Sequence, residues 1–182
     1  MLTDAIIAAL DVNQDFLALG HEAVEREGGR FVRDTNTPFI WDANHIDKIT
    51  ARTRDEIERL ISLARVSYGH TRLLRFDCDN RTPTEFEAYL AQEDFERYDA
   101  LVMLLEGEPL GSPPPFEVRQ VKTLTEWEAF RQLKQLDTAE FTQDVRDQIF
   151  LSERGKTPPA RTWLGYIDGQ PRGYLSSWEG RH

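Results

Sequence analysis

Asp42-Ala-Asn-His45 sets a carboxylate and an imidazole three positions apart, a pairing that serves as two metal ligands or as an acid and a base. On a strand these positions face opposite sides, and no second histidine or glutamate is close, so polar packing at a strand end accounts for the same residues. Cys78, the single cysteine, lies between Asp77 and Asp79. Those carboxylates raise a thiol pKa rather than lower it, which favours a packing role over a reactive one. His21, His70 and His182 are isolated, and His70 follows Gly69 at an expected helix C-terminus. Ser176-Ser177 has no base beside it, and neither a Gly-x-Ser-x-Gly elbow nor a His-Glu-x-x-His helix occurs.

A phosphate-binding loop would need glycines between a strand and a helix, where backbone N–H groups converge on an anion. The one junction of that kind, Ile46 to Thr53, holds no glycine, and Asp47 and Asp55 put negative charge nearby. Trp163, Tyr166, Tyr174 and Trp178 concentrate aromatic rings near the C-terminus. They are read either as cross-strand packing or as a ligand-facing wall.

The elements that would carry these residues follow from periodicity. Ile6, Ile7, Leu10, Phe16, Leu17 and Val24 predict helix with a break at 11–13 and a stop at Gly28-Gly29. Residues 30–33 and 39–46 read as strands separated by a turn at Asn36 to Pro38. Thr53-Arg-Asp-Glu56 is a capping box ahead of Ile57, Leu60, Ile61 and Ala64. A short strand over 73–77, a helix opening at Thr82-Pro83 with Phe86, Tyr89 and Leu90 inward, and an apolar strand over 99–105 complete an α/β pattern.

Residues 106–115 carry three consecutive prolines and two glycines, and divide the chain into a first unit (1–106), a linker (107–115) and a second unit (116–182). The second unit reads as a strand over 116–121, a helix from the capping box Thr123 to Glu126, a helix with Phe141, Val145 and Ile149 inward, and a hairpin over 162–178 turning at Asp168-Gly169.

With 182 residues, 40% of them hydrophobic, the chain suffices for one full core or two small ones. The formal charge of −10, from 32 acidic and 22 basic residues, repels a polyphosphate, so nucleic acid is not an expected partner. No apolar run approaches the roughly 20 residues of a membrane span. Residues 1–10 carry Asp4 and no positive leader. A cytoplasmic, cysteine-poor protein without a membrane partner is the expectation.

Residues 116–180, and above all Thr162-Trp-Leu-Gly-Tyr-Ile-Asp-Gly-Gln-Pro-Arg-Gly-Tyr174, resemble the opening of a GNAT-superfamily N-acetyltransferase. The resemblance implies an acyl-CoA N-acyltransferase-like fold, acetyl-CoA as cofactor, and a small-molecule or protein amine as acceptor. In that superfamily a further strand, a glycine-rich pyrophosphate loop and a helix come next, and residues 1–182 end before them. The first unit resembles a degenerate copy of those later elements. Where the superfamily often has Tyr-x-x-x-Gly-Phe, Asp94 stands at the glycine and Tyr89 is displaced by one residue, so no general-acid role passes to Tyr89. The implied reading is a two-unit acetyltransferase homologue inactive by itself. A non-catalytic assembly module is the alternative, its half-domains completing one permuted mixed sheet within a chain or in a homodimer. Tyr174, Ser176 and Trp178 are the expected acceptor contacts, and a register shift of one residue would exchange them for Leu175 and Ser177.

Overall fold

The structure is a computed structural model and describes residues 3–103 and 116–180. The expected linker, 107–115, lies outside them. Among the described residues there are five helices and six short strands in two separate antiparallel sheets, an α+β arrangement. Among the described residues the two halves do not complete one mixed sheet.

The first half opens with α1 (Asp4–Ala18), capped by the Thr3 side chain. The helix runs through 11–13 without the expected break, because its polar residues there have partners: the Arg81 guanidinium donates to Asp11 Oδ1 (2.6 Å) and Gln14 Oε1 (2.9 Å). It stops at Gly20, whose φ of +79° suits glycine. Gly28-Gly29 instead closes the hairpin of β1 (Glu22–Arg26) and β2 (Gly29–Arg33), so Val24 belongs to a strand.

β3 is shorter than expected, only His45–Asp47, paired antiparallel with β2. Residues 39–44 form turns instead, since side chains of Asp34 and Asn44 bind nearby backbone in place of a strand partner. The 73–77 strand is reduced to one parallel bridge between Ile46 and Phe76. Between them α2 (Arg54–Ser67) follows its capping box and buries Ile57, Leu60, Ile61 and Ala64 as the spacing predicts. α3 (Thr84–Gln92) adds the fully buried Phe86. Residues 99–103 form no strand, and Leu101 and Met103 are each 83% exposed; 104–105 lie outside the described residues.

In the second half β4 (Glu117–Gln120), β5 (Arg161–Ile167) and β6 (Gln170–Ser177) form the second sheet in the order β4-β5-β6. Positive φ at Asp168 and Gly169 makes the predicted two-residue turn. α4 (Leu124–Asp137) packs on this sheet through Trp127, Phe130 and Leu133. α5 (Gln143–Gly155) departs from expectation: its buried residues are Gln148 and Ser152, and Phe141 precedes the helix. That polar stripe faces the first half.

Candidate functional site

Strand alternation places His45 and Asp47 on one face of β3, opposite Arg30 of β2. Arg30 grips Asp47 with two hydrogen bonds, Nε to Oδ1 at 2.8 Å and Nη2 to Oδ2 at 2.5 Å, and its third arm donates to Asp15 of α1 at 2.6 Å. Lys48 Nζ reaches the same Asp15 oxygen at 3.1 Å. Burial acts to raise the Asp47 pKa, but the hydrogen bonds and charge of Arg30, with His45 beside them, outweigh it and hold the carboxyl below its ordinary value. The fork geometry explains why arginine is needed here and lysine would not serve.

His45 Nε2 lies 3.6 Å from Asp47 Oδ2 and 3.9 Å from Asp77 Oδ2, and both His45 and Asp47 are fully buried. Asp42 and His45 are not brought together, because Asp42 turns outward to Arg75 Nη1 at 2.9 Å. Asp47 was the missed partner, legible in the i, i+2 spacing of His45-Ile-Asp47. Sealed from solvent, these groups brace α1, β2 and β3. Among the described residues no cluster of three or more His, Cys, Asp or Glu is arranged to hold a metal ion. Cys78 is exposed, yet the protein around its sulfur and the Glu87 and Asp77 carboxylates push the thiol up to about 12, as its sequence neighbours imply.

The strand-to-helix junction ends at the N-terminus of α2. There Glu56 Oε2 accepts from the backbone N–H of Arg52 and of Thr53, each at 2.9 Å, and Thr53 Oγ1 accepts from Glu56 N–H at 3.4 Å. The same backbone donors lower the Glu56 pKa. Two of the N–H groups at this junction, those of Arg52 and Thr53, already hold the protein's own carboxylate. A hollow of about 150 Å³ beside them is lined by Glu27, Gly28, Thr50, Glu56 and Arg59.

Of the three expected acceptor contacts, Tyr174 lies on the helix-facing side of the second sheet. Its ring meets Phe130 edge-on at 5.2 Å, Lys134 Nζ lies 4.8 Å from the ring centroid, and its hydroxyl donates to Asp137 Oδ2 at 2.5 Å. Burial first, then the Asp137 carboxylate, raises the phenol pKa. Ser176 pairs with buried Thr162 on the same face, and Trp178, half-buried, follows the end of β6. The opposite face, in the alternate register, holds a hollow of about 280 Å³. Gly165 and Gly173, cross-strand partners, floor it, and Phe116, Val118, Trp163 and Leu175 wall it. Facing glycines on neighbouring strands were the sequence signal for that hollow.

A third constellation joins the halves. His21 Nδ1 lies 3.3 Å from Asp34 Oδ2, and its Nε2 lies 3.3 Å from Ser152 Oγ of α5. The residue types are those of a hydrolytic triad, but Ser152 is only 3% exposed, so a substrate carbonyl has no approach to it.

Neither protein-family models nor curated proteins give a match to the chain. Among solved structures, the chain is similar to a functionally unknown conserved protein from Staphylococcus epidermidis ATCC 12228, with a TM-score of 0.58 at 9% identity. The match covers 86% of this chain and 66% of that one, so this chain spans about two-thirds of that protein's length. A stretch of that extent takes in both halves, and the likeness is one of fold.

Proposed function

We propose that the chain is a GNAT-superfamily relative of acetyl-CoA-dependent N-acetyltransferases, in whose full-length relatives an acetyl group passes to an amine, and that residues 1–182 transfer none by themselves. The lineage is supported by the order β4, α4, α5, β5, β6 with its antiparallel strands, beside the residue resemblance of 162–174. The inactivity rests on one observation: the Glu56 carboxylate occupies the Arg52 and Thr53 backbone donors at the entry to α2. A pyrophosphate there would have to displace an anion already held and then face Glu56 and Glu27. Tyr174, Ser176 and Trp178 remain the proposed acceptor-side contacts, with Tyr174 acting through its position over α4.

Calorimetric titration with acetyl-CoA tests this reading. The expected trace shows only heat of dilution, and no acetylation of a panel of amines follows. Saturable binding, or turnover of acetyl-CoA, sinks the claim of inactivity.

A second reading, a non-catalytic assembly module, draws on the uncovered sheet face, where Phe116, Val118, Ile167 and Leu175 are each more than 40% exposed. Apolar surface of that kind is commonly an interaction site. The reading predicts a homodimer by light scattering, and a clean monomer at high concentration removes it.

A further inference from the structure

The two halves meet at a junction that buries polar groups, among them Gln148, Ser152 and Lys156. Several individual contacts cross it. The backbone N–H of Phe39 donates to Gln148 Oε1 at 3.1 Å. Lys156 Nζ sits 4.7 Å from the centroid of the Phe16 ring. Gly20 lies against the carbonyl of Gly155, so closely that a Cβ there would fall 2.4 Å from its oxygen. Between them stands His21, its side chain 1% exposed, bridging Asp34 on one side and Ser152 on the other.

Nδ1 lies 3.3 Å from Asp34 Oδ2 without making a hydrogen bond, and the contact of Nε2 with Ser152 Oγ can run in either direction while the ring is neutral. A second proton would turn the imidazole into a buried cation. It would also make Nε2 a donor, leaving the Ser152 hydroxyl only the acceptor role. The groups facing it are Asp34 from the turn after β2, which favours the cation, and Lys156 just after α5 and His45 from β3, which oppose it. Glu153, 3.0 Å from Lys156 Nζ, tempers that lysine without removing it from the interface, where Lys156 is 2% exposed.

We infer that His21 is a proton-operated latch between the halves: neutral, it closes the junction through Ser152; protonated, it loosens the second half from the first. Burial first, then Lys156 and His45, outweigh Asp34 and hold the His21 pKa below its ordinary 6.5. The sign follows from that direction. The opened state takes up the proton near pH 6.5 while the closed state still resists it, so docking weakens as pH falls below 6.5 and levels off below the closed-state value.

Hydrogen exchange on the intact chain reads this directly. The Phe39 amide, bonded to Gln148 across the junction, should lose protection as pH falls below 6.5, by up to about tenfold per pH unit once intrinsic exchange is corrected for. The Thr50 amide, bonded to Gly28 O inside the first half at 2.9 Å, should keep its protection over the same range. His21→Gln should make the Phe39 amide insensitive to pH in this window. Should that variant not fold, Lys156→Met supplies the independent test: removing the opposing cation should raise the His21 midpoint followed by imidazole NMR. A His21 midpoint at or above 6.5 in the native chain overturns the latch, as does equal loss of protection at Phe39 and Thr50.

Discussion

Ten buried side chains, from Phe31 to Phe86, close the core of the first half, and beneath them Arg30 and Asp47 are buried as a pair. In the second half Val121, Phe130 and Leu164 are the buried centre, surrounded by partly exposed rings of Trp127, Phe150, Tyr166 and Tyr174. The first half closes its core between its sheet, α2 and α3, and the second is closed on one face of its sheet. The difference teaches where each half keeps its stability: the first in apolar burial together with a satisfied charge network, the second in one aromatic cluster with no reserve behind it.

The largest expected effect comes from removing the centre of that cluster. Phe130 meets Trp127, Phe150 and Tyr174 at centroid distances of 5.7, 6.1 and 5.2 Å. Phe130→Ala should cost about 3–5 kcal/mol. In a core with so few fully buried members, that is enough to unfold the second half. Exchange at the Val121 amide, bonded to Thr162 O, should become fast while the Asp77 amide, bonded to Ile46 O, stays protected. Equal collapse at both amides would show that the halves fold as one unit, and the comparison would fail.

Next is Asp47→Ala in the first half, which strands the buried Arg30 and should cost about 3–5 kcal/mol. Because apolar replacement of a whole buried pair is often neutral, Arg30→Met with Asp47→Leu should recover most of that loss in chemical denaturation. The pair also fixes an acid limit. Asp47 has a lowered native pKa, so its contribution is complete above the unfolded value and is lost as pH falls from about 4 through the native value. An acid melt of Asp47→Leu/Arg30→Met should therefore be flatter than that of the native chain below pH 4.

These contrasts set what could be read from the sequence. α2 and α4 were legible because both the capping box and the apolar spacing were local, and the hairpin of β5 and β6 because Asp168-Gly169 dictates its own turn. Residues 39–44 and 99–103 misled, since apolar runs of strand length form strands only where a neighbouring strand accepts their hydrogen bonds. The inward stripe of α5 was hidden for a related reason: Gln148 and Ser152 are buried by contact with the first half, at Phe39 and His21, more than 100 residues away in sequence. Nothing local marks such a pair, and the junction with its candidate latch was invisible until the fold assembled it.

A smaller effect tests the two helices that the halves have in common. α2 and α4 start from the same capping box, Thr53 with Glu56 and Thr123 with Glu126. Thr53→Ala and Thr123→Ala should each cost about 1 kcal/mol in denaturant melts. The equality is the point, because local caps do not depend on how well the core beneath is sealed.

The smallest effect belongs to the open sheet face, and it bears most on what that face is for. Leu175 is 55% exposed, opposite Trp163 across the strands, and on the side of β6 away from Phe130. In an isolated chain Leu175→Lys should change stability by no more than about 0.5 kcal/mol, the range of ordinary surface substitutions. Lysine on an edge strand also discourages strand-to-strand association. If the chain associates through this face, the same variant should be monomeric by light scattering where the native chain is not, with an unchanged melt at low concentration. A loss of several kcal/mol from a dilute monomer would mean that Leu175 is covered within the chain itself, and the second half would then be as closed as the first.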